Sequence, residues 1–224
     1  MDMNHLYVAD AGVLADDLLF EAAYARATDE RKEKVDRYRF RRDQCAALGA
    51  ELLLRRALGR LGIRKLAYSY GEAGKPYLTG EDGVFFSLSH SGNVVLCAVS
   101  DCEIGADIER VRTADLRLAE RFFCAGEYAH IAAQETEEEQ RELFFRYWTL
   151  KESFLKATGF GLRLPMNEFE VVLQDSGISV AQSADARQFF FREYDGVPGC
   201  RCAVCTADAP FAAELKRINL KDCL

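Results

Sequence analysis

Apolar positions along the chain change their rhythm several times, and each change marks an element. A short apolar run at 6–8 reads as a strand, and periodic stretches at 14–27 and 43–61 read as helices, the second closing at Gly59 and Gly62. Segments 66–70, 84–88 and 94–99 have strand character, with Ser91-Gly92-Asn93 as a turn between the last two. The order then repeats. Segment 104–109 is a strand, 114–133 and 140–158 are helical, and 169–173, 178–181, 188–194 and 200–206 are strands. Asp175-Ser176-Gly177 and Asp195-Gly196 supply turns. Regular strand–helix–strand alternation is absent, so the expected class is α+β with mainly antiparallel sheets. The repeated element order predicts two similar halves, 1–102 and 103–224. The interface between two such halves is a common place for a ligand cleft.

The sharpest alternation lies in Ile104-Gly105-Ala106-Asp107-Ile108-Glu109. On a strand, Ala106 and Ile108 face one way and Asp107 and Glu109 the other. Two neighbouring carboxylates repel each other, and a divalent cation would relieve that conflict. Taken alone, an exposed strand end with two ordinary surface charges is the better explanation, because Asp-x-Glu is a frequent tripeptide. About forty residues further on, helical spacing sets Trp148, Glu152 and Lys156 on one stripe. Glu152 and Lys156 form the favoured helical ion pair, worth about 0.2–0.5 kcal/mol. They stand at the edge of the apolar stripe of Leu143, Phe144, Tyr147, Trp148, Phe154 and Leu155. Trp148, the only tryptophan, reads as a core residue. Two carboxylates on a strand, a third on a helix and a following lysine form a set able to hold a hard cation against phosphate oxygens.

Composition narrows the picture. At 224 residues and 49% hydrophobic content, the chain can bury one large core or two small ones. A formal charge of -7 argues against nucleic acid as the main partner. The local basic clusters Arg31-Lys32-Glu33-Lys34 and Arg37-Tyr38-Arg39-Phe40-Arg41-Arg42 suit a small phosphorylated ligand better. Of the eight cysteines, Cys200, Cys202 and Cys205 lie close together, but no second Cys/His pair stands at metal-ligand spacing. Strand alternation would also send Cys202 and Cys205 to opposite faces, so buried free thiols are expected. There is no signal-like N-terminus and no apolar run of membrane-spanning length, so a cytoplasmic protein with reduced thiols is expected. The acidic run Glu135-Thr136-Glu137-Glu138-Glu139 reads as a solvated loop or a helix start.

Two further motifs are weaker. Gly74-Lys75-Pro76 looks like a phosphate loop but fails, because Pro76 stands where a Ser or Thr is required. It leaves an exposed Lys75 on a proline-anchored loop. Ser89-His90-Ser91-Gly92 ends a strand without any Gly-x-Ser-x-Gly signature. His90 there serves either as a turn residue or as a hydrogen-bond donor to a phosphate.

In order, Gly74-Lys75-Pro76, Phe86-Ser87-Leu88-Ser89-His90-Ser91-Gly92, Ile104 to Glu109 and Trp148-Thr149-Leu150-Lys151-Glu152-Ser153-Phe154-Leu155-Lys156 form a joint signal. With it the chain resembles the 4′-phosphopantetheinyl transferases, in their larger surfactin-type monomeric branch rather than the short trimeric holo-carrier-protein synthases. The likeness covers nearly the whole chain, including the basic N-terminal region and Gly159-Phe160-Gly161-Leu162. It implies a monomeric pseudo-dimer of two α+β halves with coenzyme A bound between them. It implies transfer of the phosphopantetheine arm to a serine of an apo acyl or peptidyl carrier protein, releasing adenosine 3′,5′-bisphosphate. Neither nucleic acid nor membrane is implied as a partner.

Residue by residue, the resemblance implies that Asp107, Glu109 and Glu152 ligate Mg²⁺ (or Mn²⁺) and that Lys156 contacts the reacting phosphate. Lys75, Ser89 and His90 would bind the nucleotide and its phosphates, and Arg31 and Lys34 the 3′-phosphate. Glu152 is the candidate base for the incoming serine. Glu127, in Cys124-Ala125-Gly126-Glu127-Tyr128, falls at a further position of interest. Ala47 and Phe160 depart from the family pattern, where a polar contact and a small or basic residue are frequent. Two rivals stand beside this reading: a metal-dependent phosphodiesterase acting on the carrier, and a non-catalytic nucleotide-binding module.

Overall fold

The computed structural model describes residues 4–208 and 211–224. Its two longest helices, α3 (Arg41–Arg60) and α6 (Glu137–Thr158), each carry an apolar stripe that must be covered by a sheet. The first sheet has the order β11-β1-β5-β4, formed by β1 (His5–Asp10), β4 (Phe85–Ser91), β5 (Val94–Ser100) and β11 (Leu215–Arg217). The second has the order β6-β10-β9, formed by β6 (Ile104–Arg110), β9 (Phe190–Glu193) and β10 (Cys200–Thr206). Small hairpins β2–β3 (Tyr68–Tyr70, Pro76–Leu78) and β7–β8 (Glu170–Gln174, Gly177–Ala181) complete the strands.

Alternation along each strand sorts its side chains into layers. Tyr7, Ala9, Val95, Cys97 and Val99 pack against Leu48, Leu52 and Leu53 of α3. Leu6, Val8, Leu96 and Ala98 point the other way and meet Ala106, Ile108, Cys202 and Val204 of the second sheet. Ala203 and Cys205 then face Leu150, Phe154 and Ala157 of α6. The order is therefore helix, sheet, sheet, helix. Strand β5 is buried throughout, which is why its apolar run does not alternate. Every pairing is antiparallel except one: β11 joins β1 in parallel, so the end of the chain returns to the first sheet. The expected α+β class with mainly antiparallel sheets describes this architecture.

The two sheets meet along a row of serines. Ser87, Ser89 and Ser91 share one face of β4, and their hydroxyls accept from the backbone N–H groups of Ala106 (2.9 Å), Ile108 (3.4 Å) and Arg110 (3.0 Å). On the opposite side β6 lies hard against α6. A Cβ at Gly105 would stand 2.0 Å from Ser153 O and 2.3 Å from Ala157 N, so no other residue permits this approach.

Several boundaries differ from the sequence expectation. The first helical stretch is shorter, α1 (Asp17–Arg26), and is followed by the unexpected α2 (Asp29–Arg37). Only Val35 of α2 is buried, so it has no apolar stripe for periodicity to reveal. The single helix expected over 114–133 is two, α4 (Leu116–Phe122) and α5 (Ala125–Ala132). Phe123 and Cys124 leave the helical conformation between them, and Glu127 caps the new start by accepting from Cys124 N at 2.8 Å. The acidic run begins α6, with Thr136 and Glu139 forming a reciprocal cap. All eight cysteines are free, and Cys202 and Cys205 do face opposite layers.

Candidate active site

A cavity of about 620 Å³ opens where α2, the 73–76 loop, β4, β6 and α6 converge. Strand β6 delivers Asp107 and Glu109 to its wall, with Ala106 and Ile108 buried behind them. Helix α6 delivers Trp148, Glu152, Leu155 and Lys156 one turn apart. Arg31 and Lys34 come from α2, Ser89 and His90 from β4, Lys75 from the loop before β3. All nine residues singled out as site candidates therefore line one cavity. The exposed Leu162 also lines it.

Asp107 is the most constrained of the carboxylates. Its Oδ1 accepts from Ser89 Oγ at 2.7 Å and from Lys156 Nζ at 2.6 Å. Its Oδ2 is buried with no hydrogen-bond partner. Such an atom is costly unless something else satisfies it. Lys156 also reaches Ser89 Oγ (3.0 Å) and Ala106 O (3.3 Å). Glu109 Oε2 accepts from Ser91 Oγ at 2.6 Å. Burial pushes the Glu109 carboxyl above its usual range, and Asp107 adds to the rise. Burial also raises Glu152; Lys156 pulls it down, while Asp107 and Glu109 push it further up. These three carboxylates feel one another, as an acidic cluster without a cation must.

The basic wall is equally crowded. Burial lowers the Lys34 ammonium, and Arg31 beside it acts in the same direction. Burial lowers His90, followed by repulsion from Lys156 and Lys34. Four cationic or protonatable side chains thus border one side of the carboxylates.

Among the described residues, no group of three His, Cys, Asp or Glu stands in an arrangement that holds a metal ion. The Lys156 ammonium lies on Asp107 instead. The donor set nevertheless fits a hard divalent cation. The oxygens are all carboxylate, Asp107 Oδ2 is buried and unpartnered, and their mutual repulsion calls for positive charge.

Three expectations change. Lys75 is not an exposed loop lysine: its side chain is only 9% exposed. Its ammonium pairs with Glu103 and donates to Ala157 O (2.9 Å) and Ile104 O (3.3 Å), so all three donors are engaged. Trp148 is not simply core. It stacks on Phe144 at 5.8 Å and also lines the cavity. Glu127 lies outside the cavity, buried in an ion pair with Lys151 at 2.8 Å, and it also accepts from Val171 N. Sequence reading missed Ser91, Glu103 and Glu51. The first was legible as a period-two row of hydroxyls in Ser87-Leu88-Ser89-His90-Ser91. The other two act across long sequence separations and leave no local signal.

Comparison with known proteins places the chain in a family. Residues 103–205 match the family "4'-phosphopantetheinyl transferase superfamily", and residues 16–102 match "4'-phosphopantetheinyl transferase, N-terminal". The chain belongs to the 4′-phosphopantetheinyl transferase superfamily, a family of transferase enzymes. It is 35% identical over 204 residues to a 4'-phosphopantetheinyl transferase of Bacillus subtilis, covering 89% of this chain and 91% of that one. It is 33% identical over 199 residues to 4'-phosphopantetheinyl transferase Sfp of Bacillus subtilis strain 168, covering 87% and 88%. With 4'-phosphopantetheinyl transferase HetI of Nostoc it shares 39% identity over 166 residues, covering 70% and 68%. Among the described residues, no helix is long and apolar enough to cross a membrane.

Proposed function

We propose that this protein transfers the 4′-phosphopantetheine arm of coenzyme A to a serine of an apo acyl or peptidyl carrier protein, releasing adenosine 3′,5′-bisphosphate. The observation that carries the reading is Asp107 with its buried, unpartnered Oδ2, set beside Glu109 and Glu152 and bordered by the basic wall.

Asp107, Glu109 and Glu152 would hold Mg²⁺, which when bound neutralises diphosphate charge and improves the leaving group. Arg31, Lys34 and His90 bind the phosphorylated nucleotide end by charge and hydrogen bonding. Lys75 contributes the wall beneath it with its ammonium committed to Glu103. Ser89 fixes Asp107 and takes one of the Lys156 donors. Lys156 moves its charge from Asp107 to the non-bridging oxygen of the phosphorus under attack, where negative charge grows. The Glu152 side chain has no hydrogen bond among the described residues and lines the cavity, and it would accept the proton of the incoming serine hydroxyl.

The test is incubation with coenzyme A, Mg²⁺ and an apo carrier, followed by the mass of the carrier. Gain of a phosphopantetheine group supports transfer. Loss of that group from a holo carrier would mean a phosphodiesterase, and binding of coenzyme A without any change would mean a nucleotide-binding module. Asp107→Ala and Glu152→Ala are expected to abolish loading, by about 10²-fold or more, while keeping a cooperative melt. Loading at the wild-type rate by either variant rejects the assignment.

A further inference from the structure

We infer that Glu51 is a positioning residue that fixes Arg31 for the 3′-phosphate of coenzyme A and thereby sets the preference for 3′-phosphorylated over 3′-dephosphorylated substrate. The inference rests on the reading of the cavity as a coenzyme A site. Glu51 is a charged side chain in the middle of α3, only 2% exposed, and it is not on the cavity wall.

Five donors converge on its carboxylate. Oε1 accepts from Thr28 N (2.8 Å), Arg55 Nε (3.1 Å) and Arg55 Nη2 (2.9 Å). Oε2 accepts from Thr28 Oγ1 (3.0 Å) and Arg31 Nε (3.1 Å). A carboxylate offers about four lone-pair sites, so this one is saturated. A buried charge is retained only when paired this fully.

The consequence for Arg31 is geometric. Helix α2 has nine residues and buries only Val35, so its own packing says little about where its side chains go. Glu51 holds α2 at its N-cap, Thr28, and holds Arg31 by Nε, which fixes the plane of the guanidinium. The Arg31 side chain is 14% exposed and lines the cavity beside Lys34. With Nε spent, the terminal nitrogens, which stand near the Tyr68 hydroxyl, are the donors left to a ligand, and a planar pair of N–H groups matches two oxygens of one phosphate. Arg55 also matters: with Arg31 and Arg55 around one Glu51, the group keeps a net positive charge facing a dianion. Lys34, in contrast, is a flexible point charge whose ammonium has no ion pair or hydrogen bond among the described residues, so it supplies attraction rather than discrimination.

The test compares coenzyme A with 3′-dephospho-coenzyme A. In the wild type, coenzyme A is expected to have the lower KM. Glu51→Gln keeps the volume and an acceptor for Thr28 but loses the charge-assisted bond to Arg31. It should raise KM for coenzyme A about tenfold, leave KM for dephospho-coenzyme A within about twofold, and hardly change kcat. Calorimetry should show the same loss for adenosine 3′,5′-bisphosphate and none for adenosine 5′-monophosphate. In an Arg31→Ala background, Glu51→Gln should have no further effect on the preference. Thr28→Val removes the hydroxyl that bonds Glu51 Oε2 and caps Arg31 N but keeps the Arg31 Nε–Glu51 ion pair itself, so it should lower the melting temperature and keep the preference. If Glu51→Gln does not fold, Glu51→Asp, one methylene short of Arg31, should move the preference in the same direction.

A wild type that discriminates, paired with a Glu51→Gln variant that discriminates as well, overturns this inference alone. Equal loss in Thr28→Val overturns it too, because the effect would then be general loosening of α2. A wild type with no preference overturns both it and the 3′-phosphate reading of Arg31.

Discussion

At the scale of single residues, the site is organised by hydroxyls as much as by charges. Ser91 donates to Glu109 and accepts from Arg110 N, so it holds a carboxylate and a strand at once. Hydrogen bonds to charged groups contribute about 1.5–3 kcal/mol. Ser91→Ala is therefore expected to lower kcat/KM for carrier loading by about tenfold, read by steady-state assay. His90 gives a pH prediction. Its folded pKa is depressed, first by burial and then by Lys156 and Lys34, while the unfolded value is about 6.5. Between the two values the unfolded chain binds more protons, so stability is complete above about pH 6.5 and declines as pH falls toward the folded value. Denaturant melts from about pH 7.5 to about pH 5 should show this decline, and His90→Gln should remove part of it.

At the scale of elements, Gly105 is the point where a strand and a helix come closest. Overpacking usually costs about 1–3 kcal/mol. At Gly105 the obstructing atoms are Ser153 O and Ala157 N, which belong to the helix backbone and cannot rotate away. Gly105→Ala is expected to cost at least about 3 kcal/mol, measured by urea unfolding, and to shift Lys156 relative to Asp107.

The legibility of the fold follows the same logic. Helix α6 was readable because it packs one face against a sheet and burial imposes a period; strands β6 and β10 are covered on both faces and were readable as short apolar runs bounded by polar or turn residues. Helix α2 was hidden because α3 holds it by polar bonds to Glu51 rather than by an apolar stripe. Strands β3 and β11 have three residues each, too few to alternate visibly. The nine site candidates line one cavity, and the order of the motifs in the chain was what made them legible. The partners that orient Asp107, Glu109 and Arg31 were invisible, since hydrogen bonding to a distant element leaves no spacing in the chain. Lys75 was misread as exposed for that reason: Glu103, which neutralises it, lies across the fold from its loop.

At the scale of the molecule, the two helix-backed sheets are tied by more than their shared apolar layer. The last residues recross from the second half: β11 pairs with β1, and Leu220 is buried near Gly49 of α3 and Ala11. Leu220→Ala should cost about 2–5 kcal/mol. Because the contact lies in the first core, cooperative loss of the entire protein, followed by calorimetry, is the expected outcome. Separate melting of the two halves would show that the returning strand is dispensable.

The serine row also restricts what this joint can be made of. Positions 87, 89 and 91 must each offer an oxygen to an amide of β6, and two of them must also donate a hydrogen bond to a carboxylate of that strand. Alanine supplies neither, so it would leave an amide of β6 without its acceptor at each of the three places. An engineer who wished to separate the lobes, or to weld them, would have to work through the hydroxyls at these three places.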